Sequence, residues 1–285
     1  MDLFEITTRY KSPMKKILLA TLLTLSCASV FAADATPAAT GLNPEFAKAQ
    51  ELIQAKNYTA AYKEFERLAQ TGNAQALYNL GYLTQMGQGT AKDDKKALKY
   101  YQDASNKGYS VASYVLAQSY GTGQLGLAKN DKKVREYLDK SSTQGFEDAT
   151  VELAVLLFAE NKPASDTLGL QKLAPLLKNN FPPAVHAKAL YDITDGVKKK
   201  NATLVNQGLN AIQELAKKGY IPALMAIGNM LTNGNLIDQN LPEAQKIFAQ
   251  LAKNNVPRAK ESLEVVNKLI ANGAQKPAAK AEPKK

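Results

Sequence analysis

Apolar residues in this chain recur at helical spacing from about residue 44 to residue 271. They are separated by four, seven and eleven residues, and residues at these separations share one face of an α-helix. Many of these faces end at a glycine or an asparagine, which tolerate the left-handed backbone conformation of a helix C-cap. The pattern predicts thirteen helices, at residues 44–55, 58–70, 74–85, 93–107, 110–120, 130–143, 147–160, 166–179, 182–195, 201–218, 222–233, 241–254 and 257–271.

A repeat of about 36 residues organises these helices. Six Gly or Asn anchors follow one another at 36, 37, 35, 39 and 36 residues, at Gly72, Gly108, Gly145, Asn180, Gly219 and Asn255. Alanine stands four residues after every anchor, at Ala76, Ala112, Ala149, Ala184, Ala223 and Ala259. A small residue stands nine positions after five anchors, at Gly81, Ala117, Ala154, Ala189 and Gly228. Each unit is predicted to be two antiparallel helices, and only a stack of such units buries a continuous core.

Two copies of the repeat carry motifs of a known family. They contain Leu80-Gly81-Tyr82, Gly87-Gln88-Gly89 and Asp94-Lys95-Lys96-Ala97, then Gly121-Thr122-Gly123 and Asn130-Asp131-Lys132-Lys133. These residues closely resemble the Sel1-like repeat, a relative of the tetratricopeptide repeat with a longer inter-helix loop. The copies from Ala149 and Ala184 are degenerate, and the copy from Ala223 returns to the pattern. The resemblance covers roughly residues 44–271 and implies an all-α, right-handed α–α superhelix of about six helical hairpins with a closing helix.

The resemblance also implies where a partner would bind. In tetratricopeptide relatives the first helix of each hairpin lines the concave surface, and alignment of the repeats places positions 6, 10 and 13 after each anchor on it. We expect a protein-binding groove with an aromatic end and an apolar middle, formed by Tyr78, Tyr82, Tyr114, Gln118, Val151, Val155, Phe158, His186, Leu190, Met225 and Asn229. The alternative is that the apolar middle is simply core, because the degenerate repeats pack differently.

Residues 1–32 contain the pattern of an export signal. A basic start at Met14-Lys15-Lys16 precedes an almost wholly apolar stretch, and Val30 and Ala32 are the residues that the signal peptidase would read. We expect cleavage between Ala32 and Ala33 and a periplasmic or secreted protein, with residues 1–13 upstream of the true start.

Two other interpretations of this segment fit less well. A membrane span needs about 20 apolar residues, and the stretch is too short. A lipoprotein start at Cys27 would favour Leu or a similar apolar residue three positions earlier, where this chain has Thr24.

The segments that flank the repeats carry no helical periodicity. Residues 33–43 are expected to form a disordered linker, and residues 272–285 a disordered basic tail. The chain has 36 Lys and Arg against 26 Asp and Glu, a net charge of +10. The lysines of the tail would give weak contact with an anionic envelope surface. Nucleic acid is not an expected partner of an exported protein.

The residue types restrict the chemistry of the chain. It has one cysteine, Cys27, and one histidine, His186, which excludes a disulfide framework and a Cys/His zinc site. No Ser, Cys or carboxylate pair stands at catalytic spacing from His186, and the carboxylates are scattered singly. We expect no metal, no cofactor and no enzymatic activity.

The function implied by the resemblance is that of an exported, non-catalytic interaction scaffold or adaptor of the bacterial cell envelope, which binds a peptide or protein segment of another envelope or secreted protein on its concave face. Fold alone would not establish this function. One alternative is a cell-wall-related hydrolase or penicillin-binding activity, suggested for a cysteine-rich secreted branch of the family whose cysteine pairs this chain lacks. Another is a regulator of cell-wall enzymes.

Overall fold

The computed structural model describes residues 46–273, and within that range all thirteen regular elements are α-helices. They are α1 (Ala47–Gln54), α2 (Tyr58–Gln70), α3 (Ala74–Met86), α4 (Asp94–Asn106), α5 (Ser110–Thr122), α6 (Asp131–Thr143), α7 (Glu147–Ala159), α8 (Pro163–Lys178), α9 (Pro182–Lys198), α10 (Ala202–Lys217), α11 (Ile221–Asn233), α12 (Leu241–Lys253) and α13 (Ala259–Ala271). Every predicted helix has its counterpart, with ends that differ by at most three residues. The all-α fold class is therefore confirmed.

Several expectations fall outside the described residues. They concern the signal sequence with its cleavage site and Cys27, the linker at residues 33–43, the start of the first helix, and residues 274–285 of the tail.

The ends of the helices follow from local backbone chemistry. All six anchors have positive φ, between 53° and 93°, as a left-handed C-cap requires. The residue after an anchor then donates its N–H to a carbonyl five residues earlier, as Tyr109 does to Ala104 at 3.0 Å. At the start of six of the thirteen described helices, an Asn or Asp side chain accepts the N–H three residues on, as Asn130 does from Lys133 at 3.0 Å.

Contacts between helices divide the described residues into two compact units, residues 46–172 and residues 173–273, with the boundary inside α8. In the N-terminal unit, α1 packs on α2, α3 on α4 and α5 on α6, and each hairpin packs on the next. Its largest fully buried side chains include Phe65, Leu80, Tyr101, Leu116 and Leu138.

The C-terminal unit is built in the same manner. The hairpins α9–α10 and α11–α12 pack against each other, and α13 closes the end by packing on α12. One apolar cluster runs through this unit and includes Leu190, Ile212, Ile227, Phe248 and Val266.

Small residues allow the two helices of a hairpin to approach closely. The alanine four residues after each anchor is 0% exposed in all six cases. A Cβ atom at Gly81 would lie 2.9 Å from the Tyr101 ring, and one at Gly228 would lie 2.6 Å from the Phe248 ring. A larger residue at these two positions would therefore overlap the aromatic side chain of the second helix.

Candidate partner-binding face

Most of the predicted binding residues are not on an open surface. Eight of the eleven are between 3% and 9% exposed: Tyr78, Tyr114, Val151, Val155, Phe158, His186, Leu190 and Met225. Tyr82, Gln118 and Asn229 are partly exposed. These eight side chains therefore do not line an open groove. For Val151, Val155 and Leu190, the structure agrees with the alternative that the apolar middle is core.

After three of the anchors, the residue at position 6 is buried in a contact between repeats. Its ring packs there against the aromatic residue that follows the next anchor. The ring centroids are 5.3 Å apart for Tyr78 and Tyr109, 5.0 Å for Tyr114 and Phe146, and 5.6 Å for His186 and Tyr220. Tilted and edge-on arrangements at these separations are favourable for aromatic pairs. The aromatic row predicted as a ligand contact thus holds neighbouring hairpins together.

In α3, α5 and α7, the residues at positions 3, 7, 10 and 14 after the anchors are partly or well exposed, except for the buried Asn79 and Val155. These positions follow one another by four, three and four residues, so they share one helix face. We call this surface of the N-terminal unit the first-helix face; its partly or well exposed residues are Gln75, Tyr82, Met86, Val111, Val115, Gln118, Thr122, Asp148, Glu152 and Ala159. Two of the predicted residues, Tyr82 and Gln118, belong to it.

A polar contact joins two neighbouring helices on the first-helix face. Gln118 Nε2 on α5 donates to both carboxylate oxygens of Glu152 on α7, at 3.0 Å and 2.8 Å. Burial raises the pKa of Glu152, although hydrogen bonds from Tyr114 and Gln118 partly offset it. Burial, together with the charge of Glu147, also raises the pKa of Asp148. Sequence reasoning missed Asp148 and Glu152 because it placed positions 6, 10 and 13 on the surface, whereas these residues stand at positions 3 and 7.

The charge of the first helices differs sharply from that of the second helices. α3 and α5 contain no charged residue, and the charged residues of α7 are all acidic: Glu147, Asp148 and Glu152. The second helices α4 and α6 carry both lysines and acidic residues. The first-helix face is consequently uncharged along α3 and α5 and acidic along α7.

Within residues 46–273, no group of three or more His, Cys, Asp and Glu side chains is arranged to hold a metal ion. Among the helices of the same part of the chain, none combines the length and apolar character needed to cross a membrane.

Three of the hairpins match a known repeat. The Sel1 repeat matches residues 74–109, 110–146 and 221–256, which contain α3–α4, α5–α6 and α11–α12. These are the copies with the clearest motifs; the degenerate copies are not among the matches. No functionally curated protein matches the chain.

Solved structures with a similar fold include a Sel1 repeat protein from Oxalobacter formigenes, at 20% identity and a TM-score of 0.60, with 84% of this chain and 99% of that chain covered. Another is a protective antigen present in uropathogenic Escherichia coli strains that displays an SLR fold, at 22% identity and a TM-score of 0.57. That match covers 74% of this chain but 45% of the antigen. At these identities the likeness shows the fold alone.

Proposed function

Because this chain contains three Sel1 repeats and has the fold of Sel1-repeat proteins, we propose that it is a scaffold or adaptor that binds a peptide or protein segment on its first-helix face. Sel1 repeats generally mediate protein–protein interaction, and Sel1-repeat proteins are typically non-catalytic helical scaffolds. The single observation that carries the choice of face is the Gln118–Glu152 contact, which holds polar groups in place at a partly open surface between two hairpins.

The side chains of this face suit a bound segment. Gln118 and Glu152 have acceptors that could receive N–H groups of a partner backbone, and Tyr82 stands at the position equivalent to Gln118, one repeat earlier. Met86, at the end of α3, is 54% exposed and provides apolar contact area. Since α3 and α5 carry no charge, an acidic segment would be repelled only near α7.

We also propose that the scaffold works in the bacterial cell envelope, with another envelope or secreted protein as its partner. The support is the signal pattern in residues 14–32, with Val30 and Ala32 before the expected cut. Sequencing the N-terminus of the mature protein tests this proposal. A start at Ala33 is expected, and a lipid-bearing start at Cys27 would instead indicate a membrane-anchored protein.

The binding proposal is tested by three substitutions in one variant: Tyr82→Ala, Gln118→Ala and Glu152→Gln. A partner is first purified from envelope extract with the wild-type protein, and its affinity for the variant is measured at one fixed salt concentration. We expect the dissociation constant to rise at least ~30-fold, the equivalent of ~2 kcal/mol, because central anchors dominate binding. Helicity should stay nearly intact, because the three residues are partly exposed.

Asn229→Ala is the matched control. Asn229 occupies position 10 of α11 in the C-terminal unit, as Tyr82 and Gln118 do in the N-terminal unit, and it is also partly exposed. The control should bind normally. Normal binding by the triple variant, with loss of binding in Asn229→Ala or after removal of residues 274–285, would exclude the first-helix face as the binding site.

A further inference from the structure

The single histidine of the chain occupies an unusual environment. His186 lies on α9 in the C-terminal unit and is 3% exposed. Its ring meets Tyr220 edge-on, with centroids 5.6 Å apart and an angle of 69° between the planes. Tyr220 belongs to the turn between α10 and α11, so the two rings form part of the contact between neighbouring hairpins.

Both ring nitrogens of His186 lack a hydrogen-bond partner in the structure. A neutral imidazole is a donor at one nitrogen and an acceptor at the other, whereas the protonated ring is a donor at both. Burying an unpaired charge costs far more than burying an unpaired neutral group. The site therefore tolerates the neutral ring and opposes the charged one.

No neighbouring charge offsets this cost. On α9, Lys188 pairs with Asp192, and Lys199, which directly follows the helix, pairs with Asp195. On α10, Glu214 pairs with Lys217, and α11 carries no charged residue. Apart from the phenol of Tyr220, the surroundings of this contact belong to the apolar cluster of the C-terminal unit. Burial alone lowers the pKa of His186 from 6.5 to about 4.

The repeat shows that this position does not need a histidine. The equivalent residues are Tyr78, Tyr114, Val151 and Met225, all buried. None of these side chains becomes charged between pH 4 and pH 7. Only in the α9 repeat does the packing position carry a group that acid can charge.

We propose that His186 is an acid-sensitive contact that holds α9 against the α10–α11 turn at neutral pH and releases it in acid, so that the C-terminal unit loosens while the N-terminal unit stays folded. Below pH 6.5 the unfolded chain binds a proton at His186 that the folded chain binds only near pH 4. The stability that the neutral ring provides is thus fully present above pH 6.5 and decreases as the pH falls toward 4. This inference does not depend on the proposed partner-binding function.

The test compares the wild-type protein with His186→Met, which introduces the residue found at the same position in the α11 repeat. Hydrogen exchange is measured segment by segment between pH 7.5 and pH 4.5. We expect the protection of the α9–α11 amides against exchange to fall ~70-fold more in the wild type than in His186→Met. This ratio follows from a His186 pKa of about 4 in the folded chain and 6.5 in the unfolded chain. Protection of α3–α5 should change equally in both proteins, because these helices lie in the N-terminal unit, which is identical in the two. The acid response of Asp192 and the other carboxylates cancels in the comparison, since both proteins contain them.

A second measurement follows the ring itself. The chain has one histidine, so a single imidazole C2–H signal in the proton NMR spectrum reports its titration. We expect an apparent pKa well below 6.5. An ordinary titration near 6.5, or the same acid sensitivity in His186→Met, would overturn the proposal. If His186→Met fails to fold, His186→Tyr provides the comparison, because Tyr78 and Tyr114 occupy the equivalent position.

Discussion

In the N-terminal unit, position 6 of α3 and α5 carries Tyr78 and Tyr114, whereas in the C-terminal unit position 6 of α9 and α11 carries His186 and Met225. All four side chains are buried. Two tyrosines and the histidine pack against the aromatic residue after the next anchor, so the contact is kept while the chemistry of the side chain changes. Val151 is buried at the same position of α7, so position 6 accepts side chains of different size and polarity. As a result, only the C-terminal unit has at position 6 a side chain that acid can charge, which is His186.

A second comparison concerns the small residue at position 9. Gly81 faces the ring of Tyr101 in the N-terminal unit, and Gly228 faces the ring of Phe248 in the C-terminal unit. Where the second helix carries Leu138 or Ile212 instead of an aromatic ring, position 9 is Ala117 or Ala189. Each hairpin therefore balances the volumes of its two helices, as close packing requires.

The largest expected effect is a difference in stability between two tyrosine variants. Tyr114 is buried at position 6, and Tyr82 is partly exposed at position 10. Tyr114→Ala should lower the free energy of unfolding by ~3 kcal/mol, because it leaves a cavity against Phe146. Tyr82→Ala should cost less than ~1 kcal/mol, since Tyr82 is partly exposed. Urea unfolding followed by circular dichroism measures both. Similar losses in the two variants would mean that the two positions do not differ in packing.

A medium effect is expected at position 9. Gly228→Ala should destabilise the C-terminal unit by ~2 kcal/mol through overlap with Phe248, even though alanine favours the helix. Adding Phe248→Leu should recover most of this loss, because it recreates the pairing of Ala117 with Leu138. The interaction energy from thermal or urea unfolding of the two single variants and the double variant measures this coupling. Strict additivity would contradict the proposed volume balance.

The smallest effect concerns helix starts, where the two units should behave alike. Asn130 caps α6 and Asn240 caps α12, each by accepting an N–H three residues on, at 3.0 Å and 3.1 Å. Asn130→Ala and Asn240→Ala should each cost ~1 kcal/mol in urea unfolding. A loss of stability in only one of the two variants would show that the cap hydrogen bond of the other unit does not contribute to stability.

The sequence by itself determined the elements of this protein and the order in which they repeat. A C-cap needs a residue that tolerates positive φ, and a close helix contact needs Ala or Gly. Gly108, Asn180 and Ala112 meet these local requirements, which can be recognised from a single sequence. The bounds of the helices and the resemblance to the Sel1-like repeat follow from the same pattern.

Only the tertiary structure decided which side of the first helices is open. Positions 6 and 7 differ by about 100° around a helix, and in α5 they carry Tyr114 and Val115. Their residue types do not show that the first is buried and the second partly exposed. The distinction comes from partners that are far away in sequence: Tyr109 covers Tyr78, 31 residues earlier, and Gln118 contacts Glu152, 34 residues later. The burial of His186 has the same origin, because a packing contact between repeats is set by the stacking of hairpins and not by the pattern within one helix.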